Sequence, residues 1–301
     1  MRTWSSALAV AALLVWLTAC GSGGDQPHAS PSPPASSRVV TPAAGGGSPG
    51  DLRQPDHVVI VIFENKAYEQ VAGSASAPYL NALAGRAAVF TDAHAVTHPS
   101  QPNYLALFSG STHGVSDDSC PVRLTGQPNL ARQLLDAGRS FVGYSEDLPA
   151  SGYRGCSQGS YAAKHNPWAD FDNVPAAANQ PLTALPTDNA RLPTVSVIVP
   201  NICHDMHDCP VGTGDTWAQA HLDGYLRWAD SHGSLLVVTF DEDDNGPDNH
   251  ILTLAAGPMV RPGRYPEPVD HFRLLRTIEA LYGLAPIGQA ADTMPVTDIW
   301  R

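Results

Sequence analysis

Three stretches of this chain read as β-strands with no solvent-facing side: HVVIVIFEN (57–65), TVSVIVPN (194–201) and SLLVVTFDEDDNG (234–246). Each is an aliphatic, largely β-branched run that lacks polar alternation and stops abruptly at amides or carboxylates. A strand without a polar face must be covered on both sides, which points to a parallel sheet between layers of helix. ILTLAAG (251–257) is a fourth candidate strand. Helix-like segments lie between and around the strands: APYLNALAGRA, NLARQLLDAG, DTWAQAHLDGYLRWADSH and HFRLLRTIEALYGL. This alternation over residues 56–301 predicts one α/β domain with a doubly wound, mostly parallel sheet and helices on both faces. In such sheets ligands gather beyond the carboxyl ends of the strands. The polar clusters of this sequence sit there.

Ahead of the domain, MRTWSSALAVAALLVWLTAC has a positive start, a short apolar run and small residues before Cys20. Residues 1–19 are expected to be an export signal, since the apolar run is too short for a permanent membrane span. The Leu17-Thr18-Ala19-Cys20 sequence resembles a lipobox, which makes Cys20 the expected lipidation site; an ordinary signal peptide is the alternative. Residues 20–55, rich in Gly, Ser, Pro and Ala, have almost nothing to bury and read as a flexible tether. The expected location is the outer face of the cell membrane, or the medium. Acids outnumber Lys and Arg by 29 to 17, a formal net charge of −12, which argues against sequence-independent nucleic-acid binding. No protein partner is inferred. Four cysteines remain beyond Cys20, and an even number in an exported chain favours two disulfides.

Four acids, Asp241 to Asp244, follow directly on a buried-type strand. Carboxylates held at such a strand end repel one another unless protonated or bridged by a cation, although a solvated turn is the bland reading. Asp241 and Glu242, nearest the strand, are the candidate metal ligands, joined by Glu64 and Asn65 at another strand end. These oxygen donors suit Mg²⁺, Ca²⁺ or Mn²⁺, and added imidazole admits Zn²⁺. In THPSQPNYLALFSGSTHG (97–114), Ser100 stands between two prolines at the start of a helix-like run. It is either a cap or a nucleophile activated by a neighbouring cation. No G-x-S-x-G elbow surrounds it, which counts against a Ser-His-Asp hydrolase.

In PNICHDMHDCP (200–210) the donors are too crowded for an easy zinc tetrahedron. A Cys203–Cys209 disulfide closing a small loop fits better, with His204, Asp205, His207 and Asp208 displayed on it, leaving Cys120–Cys156 as the second bridge. A histidine fixed on this loop could protonate a leaving group. His98, Asn103, Lys164, His165 and His204 are candidate phosphate-binding residues, with Arg261 a weaker one.

Together HVVIVIFEN, THPSQPNYLALFSG, HDMHD, TFDEDD, HFRLLRTIEALYGL and the closing TDIW resemble the bacterial phosphoesterase family of acid phosphatases and phospholipases C, over nearly the whole domain. The resemblance implies an alkaline-phosphatase-like α/β fold. It places Glu64 and Asn65 among metal- and phosphate-site groups, Ser100 at the nucleophile or metal-contact position, Asp241 and Glu242 at the paired acids, and His207 at the acid-catalysis position. Cys120 and Cys156 match cysteines of a secreted family member, whereas Cys203, Cys209 and the lipobox are departures. The implied function is a metal-dependent acid phosphatase acting on phosphomonoesters, phospholipids such as phosphoinositides among them. A phospholipase C or phosphodiesterase is the alternative within enzymes. A non-catalytic lipoprotein that captures metal or phosphate is the alternative outside them.

Overall fold

The computed structural model describes residues 53–301. The expected signal peptide at 1–19, the lipidation site Cys20 and nearly all of the tether lie outside the described residues. No helix among the described residues is long and apolar enough to cross a membrane.

The strands are β1 (Val58–Phe63), β2 (Ala88–Ala93), β3 (Phe141–Ser145), β4 (Ser157–Gln158), β5 (Tyr161–Ala162), β6 (Asn179–Pro181), β7 (Val195–Val199), β8 (Leu235–Phe240), β9 (Thr253–Ala256) and β10 (Gly263–Val269). The helices are α1 (Tyr68–Val71), α2 (Pro78–Ala84), α3 (Ser100–Ser109), α4 (Leu130–Asp136), α5 (Val211–Ala229) and α6 (His271–Leu281). Eight strands form one sheet in the order β10-β2-β9-β8-β1-β7-β3-β6, while β4 and β5 make a small hairpin. The sheet is parallel except at β9, which runs against both β2 and β8. ILTLAAG is therefore a strand, but a reversed one.

All six residues of β1 are buried. Successive side chains point to opposite faces, so both faces need cover. Ile60 and Ile62 line one small cavity with Tyr104 and Leu107 of α3, Leu130 of α4, and Leu275 and Ile278 of α6. On the other face Phe63 meets the edge of Trp217 from α5, with ring centroids 6.0 Å apart. The absence of polar alternation noted in the sequence thus reflects helices on both sides of the sheet.

Strand β1 lies between β7 and β8 in parallel register, with Val61 opposite Ile198 and Phe63 opposite Phe240. Three chain segments consequently leave the sheet side by side at one edge. Two disulfides, Cys120–Cys156 and Cys203–Cys209, close loops on the chain.

Strands β2, β3, β6 and β10 carry weak sequence signals. β10 contains two prolines, tolerable because it lies at the sheet edge. β3 contains Gly143, where the indole of Trp168 lies so close that a Cβ would stand 2.0 Å from its ring. Trp168 Nε1–H donates to Asn179 Oδ1 at 2.8 Å, which fixes the ring over the strand. Gly143→Ala should therefore cost about 1–3 kcal/mol of stability through overpacking, measurable as a lower denaturant midpoint. An unchanged midpoint would mean that Trp168 does not rest on β3.

Candidate active site

The register around β1 builds one wall of the site. Glu64 follows β1, Asp241 follows β8, and Asp205 lies in the loop after β7. Asp241 N–H donates to the Phe63 carbonyl at 2.9 Å, and Glu64 N–H donates to the Asp205 carbonyl at 2.8 Å. All three carboxylates are buried. Asn65 has a left-handed backbone, φ 50°, which turns its N–H onto Asp241 Oδ1 at 3.1 Å. Glu242 N–H donates to the same oxygen at 2.6 Å. Asp241 Oδ2 and Asn65 Oδ1 are buried without a hydrogen-bond partner.

Ser100 is the first residue of α3. Asn103 fixes the approach to it, accepting from the N–H groups of Val96 and Thr97 and donating to the carbonyls of Thr97 and Pro99. Pro99, at the cap position, has no side-chain acceptor. Asp118 takes that part instead, accepting from Gln101 N–H at 2.9 Å. The Ser100 hydroxyl lies 3.1 Å from Glu64 Oε2 and 3.1 Å from Glu242 Oε1. One hydroxyl carries one proton, so it donates to these carboxylates in alternation. The other oxygen of Glu242 is 2.5 Å from His98 Nδ1, and His98 Nε2 is 3.4 Å from Asp243.

Glu64 Oε1 faces a second group of side chains. Tyr104 donates its hydroxyl proton to this oxygen at 2.6 Å. His165 Nε2 stands 3.0 Å from it, and His165 Nδ1 stands 3.1 Å from Asp205 Oδ2. Despite these distances, His165 Nε2 and Asp205 Oδ2 lack hydrogen-bond geometry and are buried and unpartnered. One donor atom each from Glu64, His165 and Asp205 lies within 4.8 Å of the others.

The electrostatics follow from burial. Glu64 is pushed well above the usual carboxylate range by desolvation, then by the charges of Asp241 and Asp205. Asp241 rises for want of solvent and because of Glu242, and burial takes Asp205 up to about 7. Burial raises Glu242 as well, against the opposing pull of His98. His165 is driven well below its ordinary value by burial, then by the charge of Lys164, which leaves a neutral imidazole able to act as a ligand. Crowded buried carboxylates with unpartnered oxygens, beside a neutral imidazole, fit a divalent cation. Glu64, Asp205, Asp241 and His165 are the residues that could hold it.

At the rim, Lys164 Nζ donates to Asp118 Oδ2 at 3.0 Å and lies 3.2 Å from His207 Nε2. Burial works against the ammonium, but the hydrogen bond to Asp118 and the charges of Glu64, Asp118 and Asp241 prevail and raise its pKa. His207 Nδ1 pairs with Asp208 at 2.7 Å.

The structure therefore brings Glu64, Asn65, His98, Ser100, Asp241 and Glu242 together, with Lys164 and His207 at the edge. Several expectations need correction. His165, read as a phosphate ligand, is buried among the carboxylates. Asn103 spends its amide on the loop before Ser100 and is fully buried, with nothing left for phosphate. His204 turns to Glu146 at 2.9 Å, and Arg261 binds the Asp298 carbonyl. Asp205 is not displayed on its loop; it has no exposed surface. Its apolar neighbour Met206, also fully buried, was the available signal for that. Nothing in the sequence marks Tyr104 or Asp118.

A model of the phosphoesterase family matches residues 74–285. The chain belongs to the phosphoesterase family. Over 246 residues it is 48% identical to the phosphatidylinositol-3-phosphatase of Mycobacterium tuberculosis, covering 81% of this chain and 82% of that one. The probable acid phosphatase of Kluyveromyces lactis is 29% identical over 80% of this chain, and the acid phosphatase of Aspergillus fumigatus 28% over 76%. The phosphoesterase matches only 61% and 55% of these two longer fungal proteins. Among solved structures, an alkaline phosphatase superfamily protein from Vibrio parahaemolyticus aligns with TM-score 0.56 at 16% identity, over 81% of this chain and 71% of that one. A phosphonate monoester hydrolase from Silicibacter pomeroyi aligns with TM-score 0.55 at 14% identity, over 82% and 78%. These likenesses give the phosphoesterase an alkaline-phosphatase-like fold.

Raised carboxylate pKa values make the folded state bind more protons than the unfolded chain. In the ion-free protein this cluster favours folding at low pH and loses that contribution as pH rises from about 4 towards about 7. A divalent ion competes with those protons, so it should raise Tm more at pH 7.5 than at pH 5. Thermal unfolding with and without Mn²⁺ or Zn²⁺ at both pH values is the measurement. An equal or larger shift at pH 5 would show that the ion does not bind these carboxylates.

Proposed function

We propose that this phosphoesterase is an exported, membrane-anchored, metal-dependent acid phosphatase that hydrolyses phosphomonoesters, phosphoinositide headgroups among them. The observation that carries the reading is a single hydroxyl, Ser100, shared between Glu64 and Glu242, where Glu64 also gathers with Asp205 and His165, whose Oδ2 and Nε2 are unpartnered. Pure capture of a metal has no need of that hydroxyl. The relatives' names, which specify acid phosphatases and a phosphatidylinositol-3-phosphatase, support the reaction and the substrate class. The apolar leader and Cys20 support export and anchoring.

In this mechanism Ser100 passes its proton to Glu242, whose far oxygen His98 holds in place, and Oγ attacks phosphorus in line. Tyr104 and the backbone N–H of Asn65 keep Glu64 and Asp241 oriented. A bound divalent ion would supply charge neutralisation for the phosphoryl oxygens, and Glu64, Asp241, Asp205 and His165 would hold it, Glu242 having both oxygens engaged by Ser100 and His98. Lys164 adds fixed positive charge at the rim. His207 protonates the departing alcohol; in the second step it takes a proton from the attacking water, and as the phosphoserine bond breaks Glu242 returns its proton to Ser100.

Release of inorganic phosphate from a chromogenic monoester should be lost on chelation and restored by a divalent ion. Ser100→Ala should lower kcat by about a thousand-fold or more while the folded protein keeps its Tm within a few degrees. Wild-type-like turnover in Ser100→Ala would remove Ser100 as the nucleophile. A phosphomonoester released from intact phospholipid, with no inorganic phosphate, would make the protein a phospholipase C instead.

A further inference from the structure

The Ser100 hydroxyl reaches Glu242 Oε1 at 3.1 Å, although the two residues belong to distant segments of the chain. Ser100 opens α3, whereas Glu242 lies in the turn after β8. The side chain of Asn249 joins those segments directly. Its Oδ1 accepts from the N–H of Asp243, next to Glu242, at 2.8 Å. Its Nδ2 donates to the Thr97 carbonyl, three residues before Ser100, at 2.7 Å. One planar amide, with its acceptor and donor at a fixed separation, thus spans the gap.

The bridge is anchored at each end. The Thr97 carbonyl also accepts from Asn103 Nδ2 at 2.8 Å, and Asn103 lies on α3 with Ser100. At the other end Asp243 Oδ1 accepts from Gly246 N–H at 2.6 Å, which closes the turn that follows Glu242. Asn249 is itself fixed through its backbone, because its carbonyl accepts from Ala95 N–H at 2.9 Å. Its φ is 48°, a left-handed conformation that asparagine adopts more readily than most residues with a side chain. The residue is buried, so no bulk water stands ready to replace a lost partner.

We propose that Asn249 is a positioning residue that sets the distance between the Ser100 hydroxyl and Glu242. The inference rests on the phosphatase reading given above, in which Glu242 receives the Ser100 proton. That transfer needs the two oxygens at hydrogen-bond separation, and they already stand at the long end of the range. A wider gap breaks the transfer, while binding of the phosphate, which does not use that bond, is kept. Asn249 touches no reacting atom; it acts through the two segments that it joins.

Two substitutions separate this role from a merely structural one. Asn249→Gly keeps the left-handed backbone and removes both side-chain bonds. Asn249→Asp keeps the acceptor for Asp243 N–H and loses the donor to the Thr97 carbonyl, and so covers the case in which Asn249→Gly fails to fold. Asn245→Gly is the control, since Asn245 has the same backbone conformation, φ 57°, in the same turn and is exposed. Each is made in the wild-type protein and in Glu242→Gln, and kcat and KM for a chromogenic monoester are measured.

In the wild-type background both Asn249 variants should lower kcat by about 10–100-fold and change KM by no more than about three-fold. In Glu242→Gln the proton acceptor is already gone, so the same substitutions should cost only about two-fold. Asn245→Gly should change kcat in neither background. A loss of the same size in both backgrounds, an unchanged kcat in the wild-type background, or an equal loss in Asn245→Gly would overturn the role of Asn249 alone. Absence of phosphate release by the wild-type protein would overturn the phosphatase reading, and the proposal with it.

Discussion

A carboxylate with no solvent contact, flanked by two more, is the constraint around which this molecule is arranged. Glu64 occupies that position because β1 is the central strand of a parallel trio, and parallel neighbours deliver their following residues to the same edge. Burial of like charges without compensation costs several kcal/mol per ion, which no hydrophobic core of this size absorbs without a reason. The cost is met in part by Tyr104, by the backbone N–H groups around Asp241 and by Lys164. The unpartnered atoms of Asp241, Asp205 and His165 are what those contacts leave over. Asp205 and His165 gather with Glu64, whose Oε2 accepts from Ser100, so the destabilising cluster and the reactive group meet at one carboxylate.

The surrounding elements serve to hold that arrangement still. Asn103 locks the loop into α3, Asp118 caps the helix in place of Pro99, and the Cys203–Cys209 disulfide closes the loop that bears Asp205. A site with this much fixed polarity spends little on reorganisation when a charged substrate arrives. The same rigidity explains why residues with no chemical task of their own, Asn103 among them, are fully buried.

Much of this was legible in the sequence, and the reasons are physical. Unalternating strands announce a sheet covered on both faces, and their abrupt polar ends announce the edge where Glu64, Asp241 and Glu242 emerge. Ser100 stood out through its prolines. What escaped depends on contacts distant in sequence. His165 resembles a surface residue until Tyr104 stacks on it at 5.3 Å, and Asp205 resembles a loop acid until β1 donates a hydrogen bond to its backbone. Asn103 looked like a ligand because its type is right, yet its four bonds close a local loop. The reversal of β9 has no local signature, since its residues would suit either direction.

The central assertion is that a divalent ion sits among these carboxylates within reach of Ser100. Anomalous diffraction at the manganese edge, from a crystal equilibrated with Mn²⁺, tests it without reference to activity. The expected result is an anomalous peak within about 2.0–2.6 Å of oxygens from Glu64 and Asp241. A Mn²⁺ peak bound elsewhere, with these carboxylates left unligated, would contradict the account.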